Sequence, residues 1–165
     1  MRQRVELYAA PGSRTAYALT PIGVVRSAAS EPVDENWGAV EATIVLEPAL
    51  RPGLCGLGDF SHLIVVSLLH AAAFDPARHL LRHPRGRRDL PELGIFSQRA
   101  KDRPNPIGLS CVPLVALVDD GVRVRGLDAI DGTPVLDLKP HFPIFDAPAA
   151  PRVPAWVDEL MRGYF

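Results

Sequence analysis

Seventeen prolines and 13 glycines interrupt a chain of 165 residues, and this punctuation limits the fold more than any other feature. Proline fixes φ and has no amide hydrogen to donate, so each one ends, edges or excludes a regular element. Such density argues against a helical bundle and for short strands joined by shaped loops. The sharpest instance is Arg103-Pro104-Asn105-Pro106-Ile107-Gly108-Leu109-Ser110. Both prolines push the residue before them, Arg103 and Asn105, toward extended geometry. A stiff ledge results, carrying one guanidinium, one amide and carbonyls with no donors beside them.

Between the breaks, apolar and β-branched residues mark strands over Tyr17–Ser27, Ala39–Glu47, Leu63–Ala71, Gly94–Gln98, Gly108–Val118, Val122–Ile130 and Pro134–Pro140. Asp119-Asp120-Gly121 between two of these runs is a hairpin signal. Pro48–His62 is turn-rich, Arg78–Leu93 reads as a basic loop, and Pro154–Tyr164 opens on proline and carries a late glycine, as a terminal helix does. The expected fold is all-β: a small closed barrel of about seven or eight mostly antiparallel strands, with long loops and a short C-terminal helix. Residues 1–15 read as an N-terminal extension and residues 16–165 as a single barrel domain. No G-x-G-x-x-G follows a strand, and helices long enough to cross between parallel strands are missing, which disfavours a dinucleotide-type α/β architecture.

The formal net charge is −1, so no bulk field draws the chain to nucleic acid or membrane, yet Arg78, Arg82, Arg85, Arg87, Arg88, Arg99, Lys101 and Arg103 crowd one stretch. Two cysteines, Cys55 and Cys111, give neither a disulfide framework nor a Cys-rich zinc site and read as small core residues. The five histidines show no metal-ligand spacing, and no metal is expected. No apolar run reaches membrane-spanning length and no signal core opens the chain, so a cytoplasmic protein with reduced thiols is expected.

Taken in order, "PIGVVRS", "GLGDFSHLIVV", "HPRG", "GIFSQRAKDRPNPIGLS" and "GLDAIDGTPVLDLKP" resemble the TrmO-type (YaeB-like) tRNA methyltransferases over roughly Pro21 to Pro143. The resemblance implies a β-barrel that binds S-adenosyl-L-methionine, works as a homodimer with the cofactor near the subunit interface, and methylates N6 of threonylcarbamoyladenosine beside the tRNA anticodon. By position it implies cofactor contacts at His70, Ala71, Arg99, Leu109 and Asp128 through Asp131 (Asp128, Ala129, Ile130, Asp131), with Asn105, Ile107 and Gly108 of the ledge shaping the same pocket. Phe96 or Trp37 would cover the sulfonium or the adenine face, and Ser97 is a further expected cofactor contact. Asp128 and Asp131 suit ribose hydroxyls or the α-ammonium, and a guanidinium suits the cofactor's carboxylate. Arg85, Arg87, Arg88 and Arg103 are the candidate RNA contacts. Asp137, His141 and His83 are candidate proton acceptors, and nothing in the sequence selects among them. A non-catalytic S-adenosylmethionine-binding regulator and a small-molecule methyltransferase are the alternative functions. Three departures stand out: Glu35-Asn36-Trp37 where many relatives carry Pro-x-Gln, Ser97-Gln98-Arg99-Ala100 in place of Thr-Arg-Ser, and Lys139-Pro140-His141 in place of Lys-Pro-Tyr. The C-terminal extension of longer members has no counterpart in these residues.

Overall fold

The computed structural model describes residues 5–6, 17–31, 33 and 35–165. In chain order the strands are Val5–Glu6 (β1), Ala18–Leu19 (β2), Gly23–Ser27 (β3), Glu41–Leu46 (β4), His62–Leu68 (β5), Leu81–Arg82 (β6), Leu93–Gly94 (β7), Ile107–Val118 (β8), Gly121–Arg125 (β9) and Pro134–Pro140 (β10). Short helices occupy Pro76–His79 (α1), Pro143–Asp146 (α2) and Ala155–Leu160 (α3). The expected extension over residues 1–15 lies outside the described residues, apart from the β1 backbone, which pairs with β2.

Six strands close into a barrel in the order β10-β3-β4-β9-β8-β5. The β10/β3, β10/β5, β3/β4, β4/β9 and β8/β9 pairs are antiparallel. Closure leaves no free edge for association with another sheet. Inward residues follow the two-residue period of a strand: Ala42, Ile44 and Leu46 from β4, Leu63 and Val65 from β5, Val122 and Val124 from β9. With Val25, Val112, Leu127, Ala129 and Val135 they fill the interior. Each fully buried aliphatic side chain contributes roughly 1.5–3 kcal/mol of transfer free energy.

The barrel belongs to one of two compact units, Pro21–Leu68 with Gly108–Phe165; the other comprises Met1–Thr20 and Leu69–Ile107. Residues 69–107 of the second unit are an excursion of the chain that begins after β5 and ends at the start of β8. Its own small sheet pairs β6 with β7.

Several sequence readings shift in detail. The barrel has six strands rather than seven or eight, because Gly94–Gln98 is mostly a 3₁₀ turn over Ile95–Ser97. The buried Gln98 side chain donates to Arg82 O at 2.9 Å and Leu93 O at 2.8 Å, holding the segment as a turn instead of a strand. The strand expected to reach Ile130 stops at Arg125, where Gly126 adopts φ +78°. The strand expected to reach Ala71 stops at Leu68. Cys55 and Cys111 are exposed, not core: Cys55 follows a 3₁₀ turn with no buried residue, and Cys111 lies on the outward phase of β8. Burial of its sulfur, with Asp146 adding a repulsive charge, still pushes the Cys111 thiol upward.

Gly121, the last residue of the hairpin signal, is required by contact. A Cβ there would stand 1.9 Å from the Ile44 carbonyl oxygen, so backbone would have to move. We expect Gly121→Ala to cost roughly 1–3 kcal/mol by overpacking, read as a lower denaturation midpoint at unchanged denaturant slope; an unchanged midpoint would contradict this packing.

Candidate functional site

In the unit of residues 69–107, the proline ledge is bonded to the segment that follows β5. Leu69 N donates to Pro106 O at 2.7 Å, and Ala73 N donates to the Asp102 carboxylate at 2.9 Å. Asp102 also lies 3.2 Å from Lys101 Nζ and 4.0 Å from Arg82. These contacts set His70 and Ala71 beside Asn105 and Ile107. The same frame extends to the Phe96–Arg99 turn, since Arg103 donates to Gln98 O at 3.3 Å. His70, Ala71, Phe96, Ser97, Arg99, Asn105 and Ile107 all present exposed side chains from it, with Phe96 at 79% exposure.

Burial alone would raise the Asp102 carboxyl; the Ala73 amide, the Lys101 ammonium and the charge of His79 more than offset it, and the group sits below its ordinary value. Asp102 was not among the residues expected from the sequence. Its neighbour Arg103 stands out because the motif displays it, whereas Asp102 works inward.

In the barrel unit the expected aspartates lie on the loop after β9. Leu127 and Ala129 point into the core at 1% and 4% exposure, leaving Asp128 and Ile130 on the outer side. Backbone bonds tie this loop down: Gly126 N to Val40 O at 2.8 Å, Asp131 N to Ala29 O at 2.8 Å and Gly132 N to Val25 O at 2.9 Å. Asp128 accepts from the Ser110 hydroxyl on one oxygen and from the Tyr164 hydroxyl, 3.0 Å away, on the other. Asp131 accepts from Ser27 N at 3.1 Å and faces Arg26 at 3.6 Å. Gly108 and Leu109 begin β8 in this unit, Leu109 being exposed. Trp37 is buried at 3% exposure, and its indole N–H donates to Val33 O at 2.8 Å. Of the two aromatics considered as covers, Phe96 is therefore the one whose ring is exposed.

The three candidate proton acceptors divide between the units. His83 Nδ1 lies 2.8 Å from Leu90 O, so that nitrogen carries the proton and Nε2 is the one left to accept. Asp137 sits at a register shift in the β10/β5 pairing, accepts from its neighbour Leu138 N at 3.0 Å and contacts Lys139 at 2.5 Å. His141 donates its amide to His62 O at 3.0 Å, and the two imidazoles meet edge-on at 6.3 Å. Among the RNA candidates, Arg85 adopts φ +49° between Pro84 and Gly86, and Arg88 is exposed. Arg87 pairs with Asp89, and this guanidinium holds the Asp89 carboxyl below its usual range. Among the described residues no three His, Cys, Asp or Glu side chains cluster as a metal site would need, and no helix is long and apolar enough to cross a membrane.

A closed six-strand antiparallel barrel with an inserted, proline-stiffened loop unit is the class these features define. Residues 26–147 match the family model of the tRNA-methyltransferase O N-terminal domain, and the chain belongs to the TrmO family. A crystal structure of TrmO from Pseudomonas aeruginosa superposes with a TM-score of 0.66 at 33% identity, covering 82% of this chain and 60% of that one. The chain thus spans about three-fifths of that protein's length. A "probable S-adenosyl-L-methionine-binding protein" of Methanothermobacter thermautotrophicus is 41% identical over 136 residues, which is 78% of this chain and 93% of the relative. A tRNA (adenine(37)-N6)-methyltransferase of Eikenella corrodens is 40% identical over 118 residues, 62% of this chain and 65% of the relative.

Asp102 supplies a test with a defined sign. Its depressed carboxyl contributes stability above the unfolded aspartate pKa of about 3.9, and that contribution fades as pH falls through the lower folded value. We expect Asp102→Asn to lose roughly 0.5–2 kcal/mol at pH 7, part of the interaction being screened by water. The gap from the unaltered protein should narrow as pH drops below about 4, in denaturation series at both pH values. A gap that widens on acidification would refute the clip.

Proposed function

We propose that this chain is an S-adenosylmethionine-dependent methyltransferase acting on N6 of adenosine 37 in tRNA, with the threonylcarbamoyl form of that base as substrate. The observation that carries the reading is the Leu69–Pro106 bond, which brings His70-Ala71 onto the ledge Asn105–Ile107 and so assembles two of the implied cofactor segments. Family membership supports the chemistry, and the name of the Eikenella relative supports the target atom.

The residues suit such a cofactor. In the unit of residues 69–107, exposed Arg99 offers a guanidinium for a carboxylate and Phe96 an open aromatic face for a sulfonium or purine. In the barrel unit, taken by itself, Asp128 presents a half-buried carboxylate suited to hydroxyl or ammonium donors. Bound S-adenosylmethionine supplies a methyl group on sulfonium, which the target nitrogen takes in line while sulfur keeps the bonding pair. The chain's own contribution is chiefly orientation, for which stiff, doubly anchored turns are apt; holding reactants in line supplies roughly 7–11 kcal/mol in favourable cases. The N6 proton must leave as the new bond forms, and His83 Nε2, Asp137 or His141 would take it directly or through water. Arg85, Arg87, Arg88 and Arg103 would meet tRNA phosphates. The protein would act in the cytoplasm as a homodimer with the cofactor near the subunit interface.

The archaeal relative described as a binding protein, of which this chain covers 93%, favours a second reading as a non-catalytic S-adenosylmethionine-binding protein. Methyl-labelled cofactor incubated with bulk tRNA, and with tRNA lacking threonylcarbamoyl groups, distinguishes the two. Label in the first RNA alone supports the leading reading; tight cofactor binding with no transfer to either supports the second. Arg99→Ala should weaken cofactor binding on the order of 10–100-fold if its charged hydrogen bond is made, and unchanged affinity would remove it from the site. The pair Arg87→Ala and Arg88→Ala should leave cofactor affinity intact while weakening RNA use. The salt dependence should then become shallower by about one unit of log–log slope for each phosphate no longer neutralised.

A further inference from the structure

Asp128 differs from several other aspartates of the chain in what holds it. Asp89, Asp102, Asp131 and Asp137 each lie beside a lysine or arginine. Asp128 is held instead by two hydroxyls, Ser110 on Oδ1 and Tyr164 on Oδ2. Neutral donors fix where the carboxylate points and bring no positive charge of their own. An aspartate's terminal torsion is broad, so an unrestrained carboxylate samples many orientations. One donor on each oxygen removes that freedom. An ionised carboxylate has about four lone-pair positions, so with two filled, acceptor capacity remains on both oxygens.

The route by which Tyr164 reaches Asp128 is specific to this chain's later residues. After α3, Gly163 takes φ +75° and turns the backbone. Asn36 N then donates to Gly163 O at 3.0 Å, and Trp37 N to Tyr164 O at 2.8 Å. Gly38 lets the strap lie close, since a Cβ there would stand 2.6 Å from the Phe165 carbonyl carbon. The Tyr164 and Phe165 rings meet edge to face at 4.8 Å. The phenol is thus delivered by backbone bonds and ring packing that do not depend on its hydroxyl.

We propose that Tyr164 is a positioning residue for cofactor binding: its hydroxyl, opposed by Ser110, locks the Asp128 carboxylate so that its remaining lone pairs meet the cofactor's hydroxyl or ammonium donors. The proposal rests on the reading of Asp128 as a cofactor contact. Tyr164→Phe keeps the ring and the strap and deletes one hydroxyl. Calorimetric titration with S-adenosylhomocysteine as the probe should show affinity falling about 3–10-fold in Tyr164→Phe, with the melting temperature near that of the unaltered protein. Ser110→Ala should do the same from the other oxygen. In an Asp128→Asn background, neither change should weaken binding further by more than about twofold.

Equal losses in both backgrounds would mean that Tyr164 only supports the fold locally, and the proposal fails. Undiminished affinity in both Tyr164→Phe and Ser110→Ala, with Asp128→Asn still weakened, overturns the positioning role and leaves the Asp128 contact standing. Undiminished affinity in Asp128→Asn itself overturns the Asp128 reading and this inference with it.

Discussion

Backbone hydrogen bonding around a closed ring of six strands is the constraint on which the rest of this structure depends. Closure satisfies the barrel sheet's donors and acceptors internally and leaves the barrel itself no edge strand to protect. It also demands close approaches, and glycine meets them: Gly23 and Gly121 both pass against the Ile44–Leu46 backbone, where a Cβ would collide with carbonyl oxygen. With the interior filled by β-branched and leucine side chains, the polar residues of the connecting segments are released from core duty. Several of the candidate residues, His70, Phe96, Arg99, Asn105 and Asp128 among them, sit in those connections.

Each connection is stiffened in its own way. The ledge relies on proline and on Asp102, a carboxylate turned inward toward an amide and cations. The loop after β9 relies on backbone bonds to the segment around β3 and on Leu127 and Ala129 plugged into the barrel. Rigid turns of this kind suit methyl transfer, in which orientation matters more than a strongly shifted catalytic group.

The sequence made the barrel class legible because inward and outward residues alternate plainly in β4, β5 and β9 and because Asp119-Asp120-Gly121 marks a hairpin. Element ends were less legible. Gly94–Gln98 has a strand-like composition, yet a single buried glutamine amide, bonded to two distant carbonyls, makes it a turn. Cys111 reads as core by residue type, while its phase along β8 puts it outside. The aspartate-bearing loop could be picked out through family resemblance, but its hydroxyl partners could not. Ser110 and Tyr164 lie 18 and 36 residues from Asp128 and meet it only through tertiary structure. Asp102 is hard to read from sequence for a related reason: an acid in a basic stretch looks like solvated charge until its amide partner at Ala73 is visible.

The central claim is that the proline-stiffened frame of residues 69–107 grips a sulfonium nucleoside. A crystal structure of the protein with S-adenosylmethionine bound tests it most directly. The account predicts cofactor density in contact with the Asn105–Ile107 ledge and with Arg99. Density touching neither would contradict it.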